Sequence, residues 1–413
     1  MSLIVCYIIL IFEVFTVFWC LYRSFKYICN QNQKTKNKME LHERKPNILI
    51  VIPCLREQDI IIQTLNYFLE LTNDLDNVKL LVVTTQKEEF EKENNLHLKD
   101  QFIKDVKSNM ELQKLINKYN KILSTNEIKE ILRCSKLENI EEIINNKIQK
   151  FQTTNTLIEE FIIQNHLKER IYHFHYPDTK GIMADQLNYV LNNFEFKDEK
   201  NYYFSVYNAD SIPNKNTIVV GHGMYIRVDL LKKIGGFETK YWCEDIYMSY
   251  VLRNKGISIY PIKTLEIMQS PQYLSILTKQ NAVWFKTSFE CLKIFKDVFN
   301  QNRKLNLNSI GWLIQRIRMN ITWLGLPLAF LYTIIISILS KNIILFVLSI
   351  LSYFVMILLE YGSTIKLIEK LTETTLKNKI KILCNTILAT SISNIGPIYS
   401  LVSRKKEKYK TVR

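Results

Sequence analysis

Two apolar ends frame a polar middle, and that frame limits what the chain can fold into. From Leu3 to Tyr22 runs LIVCYIILIFEVFTVFWCLY, while Ile321–Leu339 and Ile343–Leu359 are apolar stretches parted only by Ser340, Lys341 and Asn342. About twenty helical residues at 1.5 Å each match a hydrocarbon core of roughly 30 Å. Residues 1–22 therefore read as a transmembrane anchor. With no basic segment before it and no small-residue cleavage site after it, it is expected to be retained. Glu13, in mid-span, is expected to pack against another helix, since a lone carboxylate in lipid is costly. Residues 321–359 read as a transmembrane hairpin, because three polar residues suffice only for a tight reversal.

Charge then sets an expected orientation. The chain carries a net charge of +15, with Arg23, Lys26, Lys34, Lys36 and Lys38 after the anchor and Lys366, Lys370, Lys377, Lys379 and Lys381 after the hairpin. Lysine and arginine beside spans favour the cytoplasmic side, so the basic linker 23–46 and the domain after it are expected there, in a multi-pass cell-membrane protein. Because the basic residues gather beside apolar segments, anionic lipid is the expected partner and nucleic acid is not. The eight cysteines are scattered without the close pairs of a zinc site or disulfide framework, which fits a reducing compartment. Residues 301–320 read as an interfacial helix. Within 360–413, the apolar run Ile382–Val402 carries Asn385, Ser391, Ser393, Asn394, Gly396 and Pro397 and precedes Arg404, Lys405, Lys406, Lys408 and Lys410. Spanning would export that basic tail, so an interfacial or re-entrant segment is expected.

The polar middle, residues 47–300, alternates strand and helix. NILIVIP (Asn47–Pro53), VKLLVV (Val78–Val83), RIYHFHY (Arg170–Tyr176) and YYFSVY (Tyr202–Tyr207) read as strands; Glu57–Leu71 and Ile182–Phe194 have helical spacing. Such alternation predicts an α/β fold with a doubly wound, mostly parallel sheet and ligands at the carboxyl ends of its strands. Residues 85–169 are rich in Lys, Glu and Asn and read as a charged helical insertion with a solvated face.

Two acidic positions stand out. Asp210 follows a strand expected to be buried, where a carboxylate can ligate Mg2+ or Mn2+ beside phosphates or simply shape a turn. Glu244 and Asp245 open the helical run EDIYMSYVLRNKG. Two acids at a helix start suit the dipole, so they read either as a capping pair or, for Asp245, as a general base.

These motifs stand in an order that resembles the inverting, membrane-bound glycosyltransferases of family 2, with the GT-A fold shared by cellulose, chitin and hyaluronan synthases and by many capsule and lipid glycosylating enzymes. The resemblance covers roughly Asn47–Glu290. IVIPCLREQDII is similar to the family's opening strand and turn, which implies Pro53 and Glu57 on the donor side. LLVVTT is similar to the second strand, whose end meets the nucleotide base, with Thr84 and Thr85 where the family has aspartates; Thr84 is implied as a donor contact. KGIMADQLNYVL implies Lys180 as a contact to phosphate or base. NADS matches the Asp-any-Asp metal motif, with Asn208 in place of the first acid and Asp210 retained as metal and donor ligand. GHGMYIRVDLLKKIGGF is similar to the acceptor side, implying Gly221, His222 and Gly223. CEDIYMSYVLRNKG implies Asp245 as base with Glu244 beside it. KQNAVW resembles the glutamine-to-tryptophan motif of processive synthases, implying Gln280 and Trp284 over the diphosphate and entering acceptor, with Asn281 and Val283 where arginines usually sit. A tryptophan there equally reads as an interfacial membrane anchor. Between Asp210 and Gly221 only SIPNKNTIVV replaces the family's much longer stretch.

The function so implied is metal-assisted transfer, with Mg2+ or Mn2+, of a sugar from a nucleotide-sugar, expected to be a UDP-sugar, to a membrane-linked or glycan acceptor. Two alternatives are a synthase of polyprenyl-phosphate sugars and a catalytically silent scaffold subunit, the latter favoured by the shortened stretch and the missing arginines. A transporter is disfavoured because so few spans make too small a bundle for a substrate path.

Overall fold

The computed structural model describes residues 3–12, 46–95, 98–119, 125–134, 152–213, 224–241, 244–257, 266–268, 274–302, 306–369 and 375–402, with a few isolated positions between them. Two compact units emerge, one built mainly from Lys45–Gln272 and one from Met1–Arg44 with Tyr273–Tyr409.

The first unit is α/β. Strands β1 (Asn47–Pro53), β2 (Val78–Thr85), β3 (Ile171–Tyr176) and β4 (Tyr202–Val206) are joined by β6 (Tyr225–Arg227) in one sheet of order β3-β2-β1-β4-β6. β1 pairs in parallel with β2 and β4, β2 pairs in parallel with β3, and β6 runs antiparallel to β4. The continuous apolar runs are explained by burial on both faces. Along β1, Leu49 and Val51 enter a core completed by Ala184, Leu187 and Val190 of α8 (Met183–Asn193), whereas Ile50 and Ile52 enter a second core with Ile61, Leu65 and Phe68 of α2 (Ile61–Leu71). Alternate residues of a strand face opposite sides, so the apolar run from Ile48 to Pro53 serves both layers. Each such side chain removed from water contributes about 1.5–3 kcal/mol.

Local differences from the sequence reading have local causes. α2 starts at Ile61, because the amides of Ile60 and Ile61 both bond the Glu57 carbonyl (3.1 and 2.9 Å) and make a turn there first. β2 continues two residues past Val83, so Thr84 pairs in register with His175 and Thr85 with Tyr176. Strands β5 (Ser211–Pro213) and β7 (Glu266–Met268) form a separate antiparallel pair absent from the sequence reading; both are only three residues long.

Between β2 and β3 the described residues are helical: α3 (Gln86–Asn95), α4 (Lys99–Lys107), α5 (Leu112–Tyr119), α6 (Thr125–Cys134) and α7 (Thr154–Gln164). This segment has its own buried side chains, including Phe102, Leu115 and Ile116. One of its charges also lies inside rather than on a solvated face. Asp105 accepts bonds from Lys118 Nζ (2.6 Å), the Tyr119 hydroxyl (2.6 Å) and Gln101 Nε2 (2.9 Å). Those donors hold its carboxyl below the usual range. Among the described residues two further helices follow, α9 (Val228–Lys233) and α10 (Glu244–Asn254).

The second unit is helical: α1 (Leu3–Phe12), α11 (Leu274–Asn302), α12 (Leu307–Leu339), α13 (Ile343–Glu369) and α14 (Leu376–Val402). α12 runs unbroken through residue 320, so the expected interfacial segment and the first arm of the hairpin are one helix that continues past Pro327. Ser340–Asn342 make the reversal. Lys341 adopts φ 52° and the Asn342 side chain accepts the Leu345 amide (3.0 Å), capping α13. Phe330 stacks on Tyr353 across the two arms at 4.7 Å between ring centroids. Cys6 and Leu10 of α1 pack with Leu345 and Ile336. Outward, Ile4, Ile8, Ile11, Leu331, Ile335, Leu348 and Leu351 are exposed. Among the described residues one helix, Ser309–Leu339, is long and apolar enough to cross a membrane, while Leu3–Phe12 and Ile343–Val355 are shorter apolar helices. α14 spans the run read as re-entrant and continues through Pro397 as helix.

Candidate functional site

Strand order creates the site. The chain moves from β1 outward to β2 and β3, then returns to place β4 on the other side of β1, so the carboxyl ends of β1 and β4 flank a topological switch point. Ligands of open α/β sheets bind in that crevice. Asp210 lies four residues past the end of β4 and is only 2% exposed. The chain leading to it is pinned: the Tyr207 amide bonds the Val51 carbonyl (3.0 Å), and the Thr64 hydroxyl of α2 donates to the Ala209 carbonyl. Ser211 then pairs with Met268, so the chain after Asp210 is held on both sides. Asn208 is half-buried two residues earlier.

At the end of β1, Pro53 is buried, the Cys54 amide bonds the Val83 carbonyl (2.8 Å), and Gln186 of α8 donates to the Cys54 carbonyl (3.1 Å). The following loop turns through Arg56 at φ 61°. That left-handed conformation is uncommon for a residue with a side chain. Glu57 is half-buried, and its amide bonds the Thr154 hydroxyl (2.9 Å).

Glu88, in the first turn of α3, was not singled out by the sequence. It is 4% exposed and draws this loop together, accepting the Arg56 amide (2.7 Å), Gln58 Nε2 (2.6 Å), the Thr154 amide (2.8 Å) and the Thr154 hydroxyl (3.1 Å). The signal available was an acid pair, Glu88 and Glu89, just past a buried strand, inside a stretch read as solvated charge. Glu89 accepts the Thr153 hydroxyl (3.0 Å), and burial raises its carboxyl pKa.

Thr84 is buried within the sheet. Its hydroxyl meets Asn155 Oδ1, His173 Nε2 and His175 Nδ1, each at 2.9 Å. Burial, and then the neighbouring His175, push His173 down to about 4, so this ring is neutral near neutral pH. Lys180 is exposed in the turn after β3, its amide bonded to the Asp178 carboxylate (2.8 Å). Gly181 beside it has no room for a side chain, because a Cβ would lie 2.2 Å from the Tyr176 ring.

Asp245 is exposed in the first turn of α10, with Oδ1 accepting the Ile246 amide (2.7 Å), and Glu244 beside it is half-buried. Asp210, Pro53, Glu57, Thr84 and Lys180 thus all lie at or just beyond carboxyl ends of parallel strands. Gly221, His222 and Gly223 lie outside the described residues, as do Trp242 and Cys243. Gln280 and Trp284 belong to α11 in the helical unit, Gln280 half-buried and Trp284 49% exposed. Between them Asn281 is 5% exposed, closed over by Gly396 of α14. Asn281 thus lies where α11 and α14 cross.

A family model described as Glycosyl transferase family group 2 matches residues 162–360, the segment holding Lys180, Asp210, Asp245, Gln280 and Trp284. No curated protein matches the chain. Among solved structures, the mannosyltransferase PcManGT from Pyrobaculum calidifontis, in complex with GDP-Man and Mn2+, aligns with a TM-score of 0.51 over 98% of this chain and 100% of that chain, at 9% identity. At that identity the likeness is one of fold. The family match spans the acidic positions past β4 and at the start of α10, so residues 162–360 of the chain are similar to family 2 glycosyltransferases.

Proposed function

We propose that the chain is an inverting glycosyltransferase that moves a sugar from a nucleotide-sugar to a membrane-linked lipid or glycan acceptor. The observation that carries the reading is Asp210, a buried carboxylate at the switch point between β1 and β4. A divalent cation fits such a donor set. Asp210 offers the hard carboxylate oxygens that Mg2+ or Mn2+ prefers and would be the residue that holds the cation. When bound, the cation neutralises charge on the leaving diphosphate. The mannosyltransferase of like fold is in complex with GDP-Man and Mn2+, which supports a nucleotide-sugar and such a cation.

The chain's own residues divide the work. Asp245 takes the proton of the acceptor hydroxyl as its oxygen bonds the anomeric carbon and the bond to the diphosphate oxygen breaks, and Glu244 supports it. Lys180 offers its ammonium to the phosphates, and the end of β1 with Glu57 and Thr84 forms the donor side. Gly221, His222, Gly223, Gln280 and Trp284 are assigned to the acceptor side by resemblance.

Membrane attachment belongs to the same reading. α1 packs on the α12–α13 hairpin, and exposed aliphatic side chains on these helices suit lipid. The basic flanks then leave the α/β unit in the cytoplasm, where sugar nucleotides are made.

The test is a donor screen of the full-length protein in detergent, offering UDP-sugars and GDP-mannose with Mg2+, Mn2+ or chelator, alone and with glycan or polyprenyl-phosphate acceptors. Cation-dependent release of nucleoside diphosphate is the expected result. A polyprenyl phosphate as the preferred acceptor would make the product a lipid-phosphate sugar. Absence of release with every donor and acceptor would replace the enzyme reading with that of a scaffold subunit.

A further inference from the structure

We propose that Glu88 is a positioning residue for the donor, its buried carboxylate holding Arg56 in the left-handed conformation that presents the loop after β1 to the nucleotide. This rests on the reading of the β1/β4 switch point as the donor site. The loop Leu55–Gln58 makes its turn at Arg56 with φ 61°, a geometry that a residue with a side chain keeps only under restraint. Glu88 supplies the restraint from 32 residues away: Oε2 takes the Arg56 amide at 2.7 Å, and Oε1 takes Gln58 Nε2 and the Thr154 amide. Arg56 is also tied to the same helix by its guanidinium, which meets Glu91 at 2.6 Å. Thr154 closes the circuit by accepting the Glu57 amide. All four donors to Glu88 need an acceptor-only group with both oxygens in use, which a carboxylate provides and a carboxamide does not. A simple anchor of α3 would not need to grip the one strained residue in the loop, nor the residues on both sides of Glu57.

The experiment uses the full-length protein in detergent, with UDP and GDP plus Mn2+ as binding probes and a productive donor for kinetics. Glu88→Gln should weaken nucleotide binding about tenfold or more, the usual cost of losing a charge-assisted hydrogen bond, and raise donor KM in proportion, with a much smaller effect on kcat. Glycine reaches φ near +60° freely, so Arg56→Gly added to Glu88→Gln should recover most of the lost affinity. Arg56→Val, which resists that φ, should weaken binding with Glu88 intact, and so covers the case in which Glu88→Gln does not fold. Unchanged affinity in Glu88→Gln, or no recovery on adding glycine, overturns the positioning role while leaving the donor site standing. If the wild type binds neither nucleotide, the donor-site reading itself falls, and Glu88 is then an anchor of α3 only.

Discussion

Gly396 and Asn281 meet across α14 and α11: a Cβ at Gly396 would stand 2.5 Å from the Asn281 Cβ and 3.0 Å from its carbonyl carbon. The contact is with backbone as well as side chain, so rotation of one side chain cannot relieve it. Gly396→Ala should therefore destabilise the helical unit by about 1–3 kcal/mol, the usual cost of overpacking. Thermal unfolding in detergent measures it, and an unchanged midpoint would show that the two helices part easily. Asn281→Arg should be worse, because a guanidinium has to enter the same closed crossing.

Asp210→Ala should remove cation-dependent donor binding and lower transfer by about a hundredfold or more, the scale of losing a group that stabilises developing charge. Calorimetry with donor, in the presence and absence of Mn2+, reads both parts. Retained affinity with retained cation dependence would make Asp210 a turn residue.

Asp245→Asn keeps the side chain's size and its ability to accept the Ile246 amide at the start of α10. Transfer should fall about 10²- to 10⁴-fold, the span of general-base contributions, while donor affinity stays within a few fold. Equal transfer by the two proteins would assign the base elsewhere, with Glu244 the next candidate.

His173 makes stability pH-dependent in a definite direction. Its pKa falls from 6.5 to about 4 in the fold, so between these values the unfolded chain binds more protons than the native one. Stability must then rise with pH across that window, and the contribution is lost as pH falls from 6.5 toward 4. His173→Gln should flatten this part of the profile. Unfolding midpoints from pH 4 to 7 would show a parallel slope in both proteins if another group were responsible.

The basic flanks predict that protease added outside intact cells leaves the α/β unit whole, whereas lysis exposes it. Digestion without lysis would reverse the orientation and separate the enzyme from cytoplasmic donors.

How much of the fold and the site is legible in the residues alone depends on the range of the interaction. Asn47–Pro53, Val78–Val83 and Tyr202–Tyr207 announced buried strands because a mostly apolar run without alternation is needed only where both faces are covered, as Leu49 and Ile50 show by entering opposite cores. Ser340–Asn342 announced a reversal because three polar residues between long apolar runs leave room for little else. Asp210 could be singled out because it follows such a strand, and Asp245 because it stands with Glu244 at the start of a helical run. The three-residue strands β5, β6 and β7 carry too few side chains to show a period. Long-range packing sets that β4 returns beside β1, that Thr84 is enclosed by His173 and His175, that Asn281 lies under Gly396, and that Glu88 reaches back to Arg56. In each case the partners are brought together by the path of the chain, and a local pattern of polar and apolar residues carries no record of that path. Glu88 looked like one more solvated charge until the fold buried it against four donors.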